Sequence, residues 1–400
     1  LLRDEIKRLI DQSRRDILGD LARLVNIQSG TTNPAGVNRV IDWCQEALEP
    51  LGVVGQRKPQ KNFGAHLVAR SRPAKGARIL VIGHADTVFG PDEPRRTFAS
   101  REAKCFGPGV FDMKAGLICL IHGLKALLRI KGRLDNQLTV IINADEEVGS
   151  PSSRPFIETE AKKADLGLIM EPALGRWRVV TSRGGSARYG LTVRGRAAHV
   201  CRRQKGVSAV HELAHKILAL EQLTDLERET LVTVGLVNGG VARNMVPPLA
   251  HATIDLRFRT NEDGADLRRR IEEVARTSFL PGARTRLRGG SGRPPMISTP
   301  ATQELFAFLK NLAAQNGWRL RQGHNSGVGD ANFTSRAGLP TVDGLGPHGN
   351  HAHSEREFIY TESLFERCRF IGQILAADLG PLSAKLRDEA RRPGKGRSDF

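Results

Sequence analysis

Five short segments carry side chains able to bind cations or move protons. His84-Ala85-Asp86-Thr87 ends the apolar run Ile79 to Ile82. In an extended chain residues i and i+2 share a face, so His84 and Asp86 can lie side by side. A metal-bound imidazole usually gives its other N–H to a carboxylate or carbonyl, a role open to Asp86, although His-x-Asp also occurs as an ordinary polar loop. Gly107-Pro108-Gly109-Val110-Phe111-Asp112-Met113 then leads into a helix expected from near Met113. Asp112 there is either an N-cap or a carboxylate bridging two cations.

Asn143-Ala144-Asp145-Glu146-Glu147-Val148-Gly149-Ser150 follows the apolar run Leu138 to Ile142. Three successive carboxylates repel one another unless cations or protons compensate them, or unless the loop is solvated. Adjacent residues point in different directions, so Glu147 could bind a metal while Glu146 handles protons. Leu166 to Met170 ends in Glu171, and a distant segment contributes His348, His351 and His353. Ligands of open α/β sheets gather at the carboxyl ends of strands. Imidazole with carboxylate and no thiolate suits zinc, and also cobalt or manganese.

The elements that must position these residues alternate strand with helix. Strands are expected at 63–69, 78–84, 137–143 and 165–170, with helices at 113–130 and 151–162. From Trp177 the texture changes to alternating segments near 187–193, 231–237 and 252–259, with helices near 206–222 and 263–277. The order β-β-α-β-β-α-β predicts a small antiparallel sheet with two helices on one face, closed by the Gly- and Arg-rich stretch Arg288 to Pro295. Helices at 301–315 and 361–378 resume the first pattern. The fold class expected is therefore α/β: a catalytic domain (1–176 and 292–384) with a mixed, mostly parallel sheet flanked by helices, interrupted by an α+β domain (177–291). At 400 residues two domains are also the natural expectation. Residues 385–400, rich in Arg, Gly and Pro, read as a disordered basic tail.

No apolar stretch approaches the roughly 18 residues of a membrane helix, so no membrane partner is expected. Leu1 to Arg15 alternates charged and apolar residues like an amphipathic helix, unlike a signal peptide. The chain starts without Met, so the compartment stays open, the cytoplasm being favoured over periplasm or secretion. Five scattered cysteines, none in a C-x-x-C pair, argue against a disulfide scaffold and a thiolate zinc site. A net charge of +18 raises nucleic acid as a partner. The basic residues are scattered without any nucleic-acid-binding signature, so no nucleic acid is expected, and an anionic substrate or a solvated basic surface accounts for the charge.

The segments HADTV, GPGVFDMKAG, DEEVGS, EP and HAHS, in this order, resemble the signature elements of the glutamate carboxypeptidase, aminoacylase and acetylornithine deacetylase family of dizinc metallopeptidases, over about residues 5 to 380. The resemblance implies two divalent ions per chain, zinc first, with cobalt or manganese as alternatives. By it Asp112 bridges the ions, His84 and Glu171 complete one site, and Glu147 and His353 complete the other. Glu146 matches the general base and Asp86 the carboxylate behind His84, while His348 and His351 have no counterpart as ligands. It further implies a cis peptide at Asp112–Met113.

In the inserted domain, His199 resembles a lid histidine that stabilises the oxyanion, often across a dimer interface. Asn244 and Arg257 resemble the pair brought to the substrate, and an arginine fork suits a free carboxylate. Two departures stand out: Val200-Cys201-Arg202-Arg203 replaces the usual small residues after His199, and Gly329 stands where the family carries Ser or Thr before Asp330. The activity implied is hydrolysis of an amide in a small peptide or N-acyl amino acid, with release of a C-terminal residue such as glutamate, by a homodimer paired through the inserted domain. A metal-binding descendant without hydrolytic activity is the other reading, against which the intact Glu146 and five ligands weigh.

Overall fold

The structure is a computed structural model describing residues 1–92 and 97–391. Two compact units emerge, one formed by Leu1–Ser182, Met296–Asn325 and the chain from Gly329, the other by Arg183–Pro295 with Ser326–Val328. Expected boundaries at 177 and 291 compare with observed ones at 183 and 295.

The first unit is organised by a six-stranded sheet in the order Val54–Lys58, His66–Arg70, Gln137–Asn143, Arg78–His84, Leu166–Ile169, Thr341–Val342. The first three strands pair antiparallel, and the remaining pairs are parallel. Helices cover both faces of such a sheet, so its central strands read as continuous apolar runs: in Arg78–His84 every residue after Arg78 is buried. The helix Ala115–Lys131 is buried through most of its length and packs on the helix Thr361–Ala376. Their contact depends on glycine, because a Cβ on Gly123 would lie 2.8 Å from the backbone nitrogen of Gly372 and 2.9 Å from the carbonyl of Cys368. Arg367 enters this interior by stacking its guanidinium 4.8 Å from the ring of Trp177, which itself stacks on Trp318.

Several boundaries move. The strand expected at 63–69 begins at His66, the helix expected at 113 begins at Ala115, and the helix at 151–162 spans Arg154–Ala161. Strand Val54–Lys58 was not anticipated: its residues are mostly exposed, so it shows no apolar pattern. Strand Arg178–Arg183, which the expected boundary at 177 assigns to the inserted domain, pairs with Arg321–Asn325 in the first unit. The expected disorder from 385 does not hold as far as Arg391. A helix Gly380–Arg391 packs on the helix Pro300–Ala314 because Leu382 and Leu386 give it an apolar face that joins the core. Residues 392–400 lie outside the described residues.

The second unit holds a four-stranded antiparallel sheet in the order Leu231–Gly239, Leu249–Phe258, Gly185–Arg194, Arg284–Arg293. Helices Ala209–Glu221 and Asn261–Arg276 lie against one face, where Ala187, Tyr189, Leu191, Val193, Ile254 and Leu256 form the core. The order is thus one strand shorter than expected, and the stretch from Arg288 is strand as far as Arg293 rather than a closing linker. A buried ion pair joins Lys216 to Glu212 at 3.2 Å. Lys216 Nζ donates to the carbonyls of Val274, Ala275 and Thr277, and Glu212 accepts from the N–H groups of Phe279 and Leu280. The pair thereby satisfies the carbonyls that the end of helix Asn261–Arg276 leaves open. All five cysteines are free, and among the described residues no helix is long and apolar enough to cross a membrane.

Candidate metal centre

His84 is the last residue of strand Arg78–His84. The preceding Gly83 is required there, since a Cβ would lie 2.7 Å from Leu117 Cδ2 and 2.8 Å from Met113 Cε. His84 Nδ1 lies 2.9 Å from the backbone carbonyl of Asp86, which can only accept, so Nδ1 carries the proton and donates it. Nε2 then faces carboxylates, at 3.2 Å from Asp112 Oδ1 and 3.6 Å from Glu171 Oε1. The Asp86 carboxylate is 3.4 Å from Nδ1, and its closer partners lie elsewhere. It accepts from the N–H groups of Glu146 and Glu147, each at 3.2 Å, and from Thr31 Oγ1 at 2.7 Å. Asp86 therefore holds the acidic turn as well as backing His84.

Asp112 has non-helical dihedrals and a cis peptide to Met113, so it is not the N-cap of the following helix. Its two oxygens face different imidazoles: Oδ1 faces His84, and Oδ2 is 3.0 Å from His353 Nε2. His353 Nε2 is also 3.4 Å from Glu147 Oε2. His351 and His353 both have left-handed backbone, with φ of 61° and 62°. Side chains rarely adopt that conformation, and such strain clusters at functional sites. His348 is separate from this group, stacked 4.4 Å from the ring of Tyr360, where burial pushes its pKa down to about 4.

The acidic turn Glu146–Val148 ends on Gly149 in the left-handed region. Asp145 before it is fully buried and accepts from both the N–H and hydroxyl groups of Ser152 and Ser153. Glu147, almost buried, has an oxygen without a hydrogen-bond partner. Burial and the Asp112 charge push its pKa up to about 10. The same two causes raise Glu171 well above the carboxylate range. Burial opposes the charged form of His84, but hydrogen bonds to Asp112 and Asp86 and the Glu171 charge hold it well above its ordinary value. The Asp112 hydrogen bond likewise raises His353.

These shifts have one physical origin, a concentration of buried negative charge that needs protons or cations. The grouping of imidazole nitrogens and carboxylate oxygens is one that cations can fill. Two ligands each about 2.0–2.2 Å from a tetrahedral zinc stand about 3.3–3.6 Å apart. The observed separations are 3.2 and 3.6 Å around His84, and 3.0 and 3.4 Å around His353. His84, Glu146 and Glu171 form one group with ligand atoms within 4.8 Å of one another, and His84, Asp112 and Glu147 form another. The donor set therefore fits metal ions.

Glu357 is a functional candidate that the sequence reading missed. It is buried and accepts from the N–H groups of Gly109, Phe111 and Asp112 at 2.9, 2.8 and 2.9 Å. Burial, opposed by these bonds, pushes its pKa up to about 7. Its four-residue distance from His353 was the one available signal, and a carboxylate gripping a loop far away in sequence leaves no local pattern. Nearby, Lys114 is buried, donates to the carbonyl of Ile27 at 2.8 Å, and has its pKa pushed down by that burial to about 7.

The remaining site candidates are distributed between the units. In the first, Gly329 is buried and its N–H donates to Asn332 Oδ1 at 2.8 Å. Its neighbour Asp330 accepts from Asn143 and from Ser150 Oγ. In the second unit, His199 sits in a two-residue bridge opposite Met245, exposed, with Nδ1 accepting from the N–H of Cys201 at 3.3 Å. The exposed Asn244 is adjacent, its carbonyl accepting from the N–H of Val200. Arg257 is half-exposed on strand Leu249–Phe258 and donates to Asp255 at 2.8 Å.

Comparison with known proteins agrees with this geometry. Residues 80–377 match the model of peptidase family M20/M25/M40. Carboxypeptidase G2 of Pseudomonas sp. (strain RS-16) is 28% identical over 373 residues, covering 91% of this chain and 89% of that protein. A succinyl-diaminopimelate desuccinylase of Corynebacterium glutamicum is 28% identical over 384 residues, covering 90% and 97%. Among solved structures, aminopeptidase PepT of Bacillus cereus has a TM-score of 0.72 at 21% identity, covering 91% of this chain and 98% of its own. An M20 family metallo-carboxypeptidase of Sulfolobus solfataricus has a TM-score of 0.72 at 17% identity, covering 90% and 98%. With the family model matching most of the sequence and spanning its cluster of imidazoles and carboxylates, this chain belongs to peptidase family M20/M25/M40 and is a zinc metallohydrolase with a two-metal centre.

Proposed function

We propose that the enzyme is a carboxypeptidase that releases a C-terminal amino acid such as glutamate from a small peptide or N-acyl amino acid. The observation carrying the hydrolytic part is the Asp112 carboxylate, one oxygen turned to His84 and the other to His353. The similarity to carboxypeptidase G2 supports the carboxypeptidase part. A deacylase reading has support from the similarity to a succinyl-diaminopimelate desuccinylase.

In this reading Asp112, His84 and Glu171 would hold one zinc ion, and Asp112, Glu147 and His353 would hold the other. Such a pair supplies Lewis acidity, polarising the scissile carbonyl and lowering the pKa of water. Glu146 takes the proton from the attacking water and delivers it to the nitrogen of the departing amine. Asp145 is unsuited to that task, because both its oxygens are engaged by Ser152 and Ser153. Asp86 fixes the turn bearing Glu146, and Glu357 fixes the loop bearing Asp112. Arg257 binds the substrate carboxylate, Asn244 the substrate, and His199 the oxyanion. Gly329 adds no hydroxyl, and its own N–H is already given to Asn332, so the carboxylate relies more heavily on Arg257.

We further propose a twofold homodimer through the second unit. Strand Leu231–Gly239 is a sheet edge exposing Leu231, Leu236 and Val237, a surface suited to self-pairing. Sedimentation at micromolar concentration should give a dimer, and a monomer would reject this arrangement.

The deciding test of function is a panel of dipeptides, N-acyl amino acids and their C-terminally amidated analogues, presented to the zinc-loaded protein with release of free amine measured. Carboxypeptidase action predicts turnover of N-acyl glutamates and little of their amides. Preference for N-succinyl diamino acids would move the assignment to the deacylase, and no turnover of any member would reject both.

A further inference from the structure

The sheet of the second unit has one face covered by helices and one open face. Along Gly185–Arg194 burial alternates, so Ala187, Tyr189, Leu191 and Val193 face the helices while Arg188 and Arg194 face outward. The same alternation puts Arg257 of Leu249–Phe258 on the open face, together with Arg284, Arg286 and Arg288 of Arg284–Arg293. Asp255 is the one acidic residue of these three strands, and it is bonded to Arg257. Arg188, Arg194, Arg284, Arg286 and Arg288 are exposed, and among the described residues no side-chain hydrogen bond or ion pair engages them.

The register sharpens the anomaly. Arg284 stands directly opposite Arg194, and like charges in that position destabilise a sheet. Arginines on an edge strand have an ordinary purpose, since charge guards free edges against unwanted pairing. Arg284–Arg293 is such an edge, so that purpose covers Arg284, Arg286 and Arg288. It does not cover Arg188 and Arg194, whose strand is flanked on both sides. Clustered unpaired guanidinium groups on one face fit a multiply anionic ligand.

We propose that this face and its free edge form a docking surface for an extended acidic peptide, added as a strand beside Arg284 to Gly289 with alternate carboxylates over the arginines. Strand addition uses backbone hydrogen bonds for affinity and alternate side chains for specificity. Alternate side chains of an added strand repeat every 6–7 Å or so, as do Arg284, Arg286 and Arg288. The regular edge ends where the register shifts between Gly289 and Gly292. A nucleic acid strand fits less well, because no Phe, Tyr or Trp stands on the open face to stack bases. Arg284, Arg286 and Arg288 take no part in the hydrolytic reading, which uses only Arg257 of this face.

The test uses the zinc-loaded full chain and a labelled, C-terminally amidated peptide of alternating glutamate and threonine, with binding followed by fluorescence anisotropy. The Arg284→Ala/Arg286→Ala/Arg288→Ala variant should bind at least about tenfold more weakly. Arg39→Ala/Arg72→Ala/Arg101→Ala removes the same charge from the first unit and should change binding by less than about twofold, and both variants should hydrolyse a small amide at the normal rate. Backbone N-methylation of the peptide should weaken binding comparably to the first variant. Equal losses in the two variants would reduce the effect to net charge and overturn the proposal. So would indifference to N-methylation, or tighter binding of oligothymidylate that the first variant abolishes.

Discussion

Glu357 Oε1 accepts the backbone N–H of Asp112 at 2.9 Å, across 245 residues of sequence, while the side chain of Asp112 turns its two oxygens to His84 and His353. One buried carboxylate thus fixes the backbone from which another addresses both histidines.

Replacing Glu357 tests that support. Glu357→Gln substitutes an amide NH₂ for one of two accepting oxygens, leaving the N–H of Gly109 or those of Phe111 and Asp112 facing a donor. We expect metal affinity to fall about 10–100-fold, the usual consequence of disturbing groups that orient a metal ligand. Competition titration with a chromophoric chelator measures it, and unchanged affinity would show that the loop holds itself.

Glu146 and the metal ions should separate cleanly. The wild-type chain should hold close to two divalent ions, and chelation should abolish hydrolysis until zinc is restored. Glu146→Gln should retain the ions while turnover falls roughly 10²–10⁴-fold. Metal analysis alongside the amine-release assay checks both, and retained turnover would move the base elsewhere.

Arg257 should discriminate between substrates. If it grips the substrate carboxylate, Arg257→Ala should cost about 2–5 kcal/mol in kcat/KM on substrates with a free carboxylate and far less on amidated analogues. Equal losses on both would reject this role.

Asp165 should govern part of the acid stability. It is buried and paired with Arg78 at 2.6 Å. Burial alone would raise its pKa, but hydrogen bonds from the Arg78 side chain and backbone hold it below the usual carboxylate value. A depressed folded pKa means that the stabilisation is complete above the unfolded value of about 3.9 and is lost as pH falls through the folded one. Asp165→Asn should therefore be less stable than wild type at pH 7, the gap closing below about pH 4. Urea midpoints across that range check the sign, and a constant gap would refute it.

The sequence by itself determined the central strands and what stands at their ends. Ile79 to Ile82 and Val140 to Ile142 are buried on both faces, so they read as continuous apolar runs whose ends are visible, with His84 and then the turn bearing Glu146 and Glu147 a few residues on. The alternation in Gly185–Arg194 was equally legible, because one face packs on helices and the other is open. Family-like segments added roles to those positions, which spacing alone left open between metal ligands and ordinary caps or loops.

Tertiary structure decided what depends on partners distant in sequence. Arg178–Arg183 reads as a strand but cannot announce that it pairs with Arg321–Asn325. Asp112 looks like a cap until its backbone is seen bent out of the helix and bonded to Glu357. Residues from 385 read as a disordered basic tail, yet as far as Arg391 they continue the helix Gly380–Arg391, in which Leu386 enters the core. Strand and helix patterns are written by each residue's own surroundings, whereas pairing, loop support and docking are set by groups that only the folded chain brings within hydrogen-bonding or van der Waals reach.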